Sequence, residues 1–205
     1  MYLAVLTGDI VASTEMKASE LDSIMNAIQS ATLDMADWTV SETTVHFSRR
    51  GGDAWQVATP APKYAIRSAL FLQANVRRLD KSFSTRIAAA IGEGTLPDTA
   101  PIDINSAHGP VFTASGRLLD SISGHHLMEH SDGGALGAVL ELCSHIAQGW
   151  TPAQARALCE MLSPHAGSRA QAGIRLGISR QAVDQALWAA GFPAIEAALH
   201  HLEAN

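Results

Sequence analysis

Two aspartates stand where carboxylates could cooperate. Asp9 closes the stretch LAVLTGDIVAST, Leu3 to Thr14, an apolar run that ends in Gly-Asp just before a helical pattern begins. Asp53 lies in RRGGDAW, Arg49 to Trp55, which reads as a hairpin turn between two strands. Two carboxylates joined by a backbone carbonyl make a hard oxygen site suited to Mg²⁺ or Mn²⁺ carrying a polyphosphate. The backbone N–H groups of Val11, Ala12, Ser13 and Thr14, at the start of the following helix, would hold the phosphates. Each aspartate taken alone has a plainer reading, because Gly-Asp is ordinary turn chemistry.

The surrounding elements must bring the two acids together. Tyr2 to Leu6 is short and apolar and reads as a buried strand, with Asp9 just beyond it. From Glu15 to Trp38 the apolar residues recur at helical spacing, the mark of an amphipathic helix. TTVHFS, Thr43 to Ser48, alternates as a strand, and AWQVA, Ala54 to Ala58, is its returning partner. PKYAIRSALFLQANVRRL is a second amphipathic helix with Pro62 in its first turn, and STRIAAAIGEG is a strand ending in glycines. The order βαββαβ predicts an α+β, ferredoxin-like domain: an antiparallel sheet with two helices on one face. The strands carrying Asp9 and Asp53 would be neighbours in it. After a Pro- and Asp-rich loop, Leu96 to Asn105, a third helix is entered through Gly109-Pro110. HHLMEHS reads as a short edge strand, and Leu136 to Ile146 is helical again.

At GWTP, Gly149 to Pro152, the composition becomes Ala-rich and purely helical. A boundary there gives a domain over 1–148 and a second over 149–205. The second contains SRAQAGIRLGISRQAVDQALWAAG, Ser168 to Gly191. Ser168 and Ser179 are placed to cap two short helices, and Leu176-Gly177-Ile178 forms the break between them. That is a helix-turn-helix pattern, with Ala172, Leu176, Ile178, Val183 and Leu187 as its packing residues. The second helix would present Arg180, Gln181, Asp184, Gln185 and Trp188 outward. Arg pairs with guanine and Gln with adenine in the major groove, so a double-stranded DNA operator is the expected partner. The plainer alternative is a helical hairpin used only for packing or dimerisation. From Trp150 onward four arginines (Arg156, Arg169, Arg175, Arg180) balance four acids (Glu160, Asp184, Glu196, Glu203). Non-specific phosphate affinity should therefore be weak, and a homodimer reading two half-sites would compensate.

The bulk numbers exclude other classes. Fourteen basic and twenty acidic residues give a net charge of −6, so no nucleic-acid-coating role is expected. Cys143 and Cys159 have no CxxC spacing and read as buried reduced thiols. Met1 runs straight into a strand without a basic leader, and no apolar run reaches membrane-spanning length. The expectation is a cytoplasmic protein with no membrane partner. The adjacent pairs His125-His126 and His200-His201 lack the i, i+4 spacing of helical metal ligands. Trp38, Trp55, Trp150 and Trp188 read as core or contact residues, with Trp188 the one that could reach a DNA surface. There is no P-loop and no nucleophile constellation.

GDIVAST, RRGGDAWQVA, RIAAAIGEG and HGPVFTASGRLLD, in that order over nearly all of residues 1–125, resemble the class III nucleotidyl cyclase homology domain. The whole chain resembles more closely the SatD-like bacterial proteins, in which a similar series precedes a C-terminal helix-turn-helix. The cyclase resemblance implies metal ligation by Asp9, Asp53 and the carbonyl of Ile10. It places a transition-state arginine at Arg117, the one candidate catalytic residue; without the resemblance Arg117 reads equally well as a helix-surface ion-pair residue. It also places an orienting asparagine at Thr113 and base-reading residues at Arg49 and Ser106, all three departures from the family pattern. Arg49 cannot accept a hydrogen bond, and Thr113 lacks the amide that would align a ribose for cyclisation. The resemblance therefore implies a degenerate, non-catalytic cyclase-like module that dimerises and senses a nucleotide, joined to a DNA-binding regulator. An active ATP or GTP cyclase and a ligand-free dimerisation scaffold are the alternatives.

Overall fold

A computed structural model describes residues 1–38, 45–97 and 104–204. It is a mixed α+β fold. Strand β1 (Tyr2–Ile10) leads through a 3₁₀ turn into helix α1 (Ala18–Met35), and β2 (His46–Arg50) and β3 (Ala54–Thr59) form a hairpin. Helix α2 (Ala65–Arg77), strand β4 (Thr85–Glu93), helix α3 (Pro110–Ser121), strand β5 (Met128–His130) and helix α4 (Gly134–Gln148) follow. Helices α5 (Pro152–Met161), α6 (Arg169–Leu176), α7 (Arg180–Ala189) and α8 (Phe192–Glu203) complete the chain. The strand order is β2-β3-β1-β4-β5. The first four strands are antiparallel neighbours, and β5 adds to β4 in parallel at the edge. The sequence places Thr43 and Thr44 in the second strand; they lie outside the described residues, as do residues 98–103 of the Pro- and Asp-rich loop.

Strand β1 is central and buried on both faces, which is why it reads as an unbroken apolar run. On one face Leu3 and Val5 pack with Ala58, Ala90, Ile104 and Val111, beneath α3. On the other, Leu6 and Ile10 join Trp55, Val57 and Ala89 in a larger core with Ile24 and Ile28 of α1 and Leu70 of α2. Thr7 fixes α3 in place, sharing a 2.8 Å hydrogen bond with Ser115 and accepting another from the Gln56 amide at 2.8 Å.

Helix α2 departs from the amphipathic helix expected from its sequence. All thirteen of its residues are buried, including Arg67, Gln73, Asn75 and Arg77. The large core extends without a break from the sheet through α2 to Leu158, Leu162, Val183, Leu187, Phe192 and Leu199 of the C-terminal helices. Several polar groups of α2 are met from within, while Ser68 Oγ, Asn75 Oδ1 and Arg77 Nε have no partner among the described residues. Arg67 makes two bonds to the Glu203 carboxylate, 2.6 and 2.7 Å, and a third to the Leu162 carbonyl at 2.9 Å. The GWTP junction is built in. The Trp150 indole donates to the Ala190 carbonyl, and Thr151 with Gln154 forms a capping box on α5.

Two glycine sites set the backbone spacing. Gly8 faces Trp55 across the β1–β3 ladder, and a Cβ there would lie 2.3 Å from the indole and 2.4 Å from the Arg86 carbonyl. A Cβ on Gly109 would lie 2.9 Å from the Gly94 Cα, where Thr95 and His108 exchange a bridge. Replacing Gly8 by alanine forces a methyl group against backbone and a buried ring. We expect Gly8→Ala to destabilise the fold by about 3 kcal/mol or more, read from urea unfolding midpoints.

Candidate functional site

Strand β1 extends past Leu6 to Ile10, so Asp9 is a strand residue and not a turn residue beyond the strand's end. It pairs with Ala54 on one side and Arg86 on the other. Asp53 occupies the β2–β3 turn, and its carbonyl accepts the Ile10 N–H at 3.2 Å. The two aspartates are thus brought to the same end of the sheet, as their spacing predicts. Ile10 itself is buried between the flanking strands.

Both carboxylates are already engaged. Arg86 donates Nε–H to Asp9 Oδ1 at 2.8 Å and Nη2–H to Oδ2 at 2.5 Å, a bidentate pair, and its Nη1–H reaches the Ile122 carbonyl at the end of α3, 3.1 Å away. Asp53 accepts a short hydrogen bond from the Ser13 hydroxyl. Among the described residues no group of three or more His, Cys, Asp or Glu side chains could hold a metal ion. As they stand, Asp9 has its positive partner in Arg86, and a divalent cation bound there would have to displace that guanidinium. Arg86 escaped the sequence reading. Its signal was a lone cation in the strand TRIAAAIGE, which antiparallel pairing places opposite the end of β1.

The turn after β1 has anion-binding geometry. Val11 donates to the Ser84 carbonyl at 3.0 Å. Ala12 is left-handed, φ 56° and ψ 31°, the one non-glycine residue with positive φ among those described. A 3₁₀ turn over Ser13–Glu15 follows. Left-handed then right-handed backbone turns successive N–H groups toward one concavity, a nest. Among the described residues the N–H groups of Ala12, Ser13 and Thr14 find no hydrogen-bond acceptor.

The remaining sequence-chosen residues do not converge on the aspartates. Arg49 closes its own hairpin, donating to the Gly52 carbonyl at 2.7 and 2.9 Å and to Asp22 of α1 at 2.8 Å. Ser106 is exposed and offers its carbonyl to the His108 ring at 3.4 Å. Thr113 and Arg117 are exposed one turn apart on α3. Among the described residues Thr113 reaches only the Gly109 carbonyl at the start of its own helix, and Arg117 makes no hydrogen bond or ion pair.

In the C-terminal segment Ser168 accepts from the Gln171 N–H and Ser179 from the Ala182 N–H, capping α6 and α7. Left-handed Gly177 ends α6 in a Schellman motif, with Gly177 N–H to Ile174 and Ile178 N–H to Gly173. Ala172, Val183 and Leu187 are buried as expected, but Ile178 is 45% exposed and does not serve as a packing residue. Arg180, Gln181, Gln185 and Trp188 are exposed, Trp188 at 71%, while Trp38, Trp55 and Trp150 are buried. Asp184 is half-buried and holds Arg169 at 2.9 Å and Arg180 at 3.6 Å. Both cysteines are free thiols: Cys143 is buried, and Cys159 is partly exposed rather than buried.

No protein-family model matches this sequence, and no curated protein matches it. Among solved structures the chain is similar to the crystal structure of the guanylyl cyclase Cya2, with a TM-score of 0.48 and 13% identity over 73% of this chain and 79% of that one. A likeness of that size says nothing about activity. Among the described residues no helix is long and apolar enough to cross a membrane.

The left-handed Ala12 carries a backbone cost of about 1 kcal/mol that glycine would not. Ala12→Gly should raise thermal stability by up to about 1 kcal/mol, checked by the melting temperature. Retention of an alanine there despite that cost would then need another reason than folding.

Proposed function

We propose that this chain is a DNA-binding transcriptional regulator. In this reading its sheet-containing segment is a ferredoxin-like, cyclase-related module that pairs two copies and responds to a phosphate-bearing nucleotide. The observation that carries the reading is α7, entered from the Gly177 turn with Arg180, Gln181 and Gln185 exposed along its first two turns. Capped ends and a Schellman turn hold α7 rigidly against α6, as groove reading requires. The C-terminal cations offer little general attraction for DNA, because Arg169, Arg175 and Arg180 each face an acid. Selective contacts and two-fold pairing would have to supply the affinity. Arg180→Ala and Gln181→Ala should each weaken binding to enriched genomic fragments by about tenfold or more, measured by fluorescence anisotropy, with the melting temperature unchanged. Binding that survives both substitutions removes α7 as the reading element.

The nucleotide part of the reading rests on the N–H groups of Ala12, Ser13 and Thr14, which are unbonded among the described residues and follow Asp9, the partner of Arg86. Phosphate oxygens there accept from the backbone and compete with Asp9 for the guanidinium. A divalent cation joins this site only with a ligand whose phosphates draw Arg86 off Asp9. Exposed Arg117 has no partner among the described residues, and a second copy would supply one. Thr113 and Arg49 lack the groups that align and read a nucleotide for cyclisation, which favours binding over turnover. Thermal shift of the native chain with ATP and GTP, with and without Mg²⁺ or Mn²⁺, should show stabilisation that Arg86→Ala abolishes. No shift under any of these conditions leaves the module a scaffold.

A further inference from the structure

The face of α7 assigned above to DNA carries an acid. Arg180, Gln181, Asp184 and Gln185 follow one another along its first two turns. A bare carboxylate would be repelled from a groove edged by phosphates. Asp184 is not bare. Its Oδ1 accepts from Arg169 Nη1 at 2.9 Å, and its Oδ2 lies 3.6 Å from Arg180 Nε. One half-buried carboxylate thus ties the first residue of α6 to the first residue of α7.

Neither arginine is placed to stabilise its own helix. The positive end of a helix dipole disfavours a cation, and no acid stands in the first turn of α6 or of α7. Asp184 supplies the missing negative charge from the second turn of α7.

The two pairings differ in a way that matters for base reading. Arg169 gives Asp184 a terminal nitrogen, and its side chain is 32% exposed. Arg180 approaches through Nε and is 70% exposed, and among the described residues its Nη1 and Nη2 make no hydrogen bond. Held at Nε, a guanidinium still presents its terminal fork, which matches O6 and N7 of guanine. A fork already oriented loses less freedom on binding than a free one. At a guanine the Asp184 contact and the base contacts coexist. On other sequences both arginines find only phosphate, and Asp184 competes for them. Specificity is the difference between these affinities, so an acid that lowers the second one sharpens it.

We propose that Asp184 is the positioning residue of the DNA face: it aims the Arg180 fork at a guanine and holds Arg169 and Arg180 back from phosphate elsewhere. This role rests on the reading of α7 as the DNA-contacting helix. Its test measures the full chain by fluorescence anisotropy, across a salt series, on its enriched genomic fragments and on random-sequence duplexes of equal length. Asp184→Asn should bind the random duplexes at least about tenfold more tightly, with the log–log salt slope steeper by about 1 to 2 as two cations are freed for phosphate. Its preference for the enriched fragments should fall about tenfold or more. In the Arg180→Ala background the same Asp184→Asn step should change that preference by less than about twofold. Arg180→Lys, at an exposed position, keeps the charge without the fork; it should lose the preference and keep the native salt slope on random duplexes.

An equal rise on both kinds of duplex is simple relief of repulsion, and a loss on both with a lower melting temperature is a clip between helices; either overturns the role. So does a preference lost equally in the Arg180→Ala background, the mark of a direct carboxylate–cytosine contact, or one kept in Arg180→Lys. A native chain that binds no duplex removes the DNA reading itself, and this role with it.

Discussion

The burial of α2 on every side governs the rest of this molecule. A helix with one buried stripe can sit on a sheet by itself. A helix with thirteen buried residues cannot, because its second face needs cover. The C-terminal helices supply it, and Arg67 is the fastener. Its guanidinium is nearly enclosed and is matched at both ends by the Glu203 carboxylate and the Leu162 carbonyl. Removing one partner of such a pair costs about 3–5 kcal/mol, since the other is left charged and unpaired. The DNA-reading segment proposed here is therefore no appendage on a linker. A change in the sheet reaches α5 and α8 through a shared core.

The sheet end is governed by close contacts of a different kind. Gly8 exists because the Trp55 indole lies against its backbone, and the indole N–H is held by Thr85, which in turn donates to the Asp9 carbonyl at 2.6 Å. The Gly-Asp pair is thus one device with two halves. Glycine admits the ring that fixes the strand ends, and the neighbouring aspartate projects to the opposite face, where Arg86 stands. Gly94 and Gly109 do the same work at the other end of β4, where α3 begins.

Much of this was legible in the sequence because it depends on local periodicity and turn chemistry. The individual strands, the hairpin at Asp53, the Ser168 and Ser179 caps and the Gly177 turn follow from patterns a few residues long. What escaped notice depends on long-range pairing. Arg86 is 77 positions from Asp9, and only the antiparallel register makes them partners. Glu203 is 136 positions from Arg67, and without it α2 reads as half-exposed. Arg49 has the residue type of a ligand contact, yet its fork fits the carbonyl of Gly52 three residues on. A local acceptor used it up.

The Asp9–Arg86 pair also bears on how a site can lose catalysis and keep recognition. A carboxylate held by a fixed guanidinium is neutral as a unit, so it attracts neither a free cation nor a free anion strongly. A phosphate with its own cation presents both charges at once, and each half of the pair gains a new partner of opposite sign. In the proposed nucleotide reading, charge-assisted hydrogen bonds lost at Asp9 would be replaced by bonds to the phosphate, which narrows the energy gap between the two arrangements. Two arrangements of similar energy are what a sensor needs, because a modest ligand affinity then suffices to shift the population. Arg86 also bonds the Ile122 carbonyl at the end of α3, so a ligand that drew Arg86 off Asp9 would also change the hold on the helix that carries Arg117. In that reading the coupling from ligand to helix would need no moving domain, only a guanidinium with two sets of acceptors within reach.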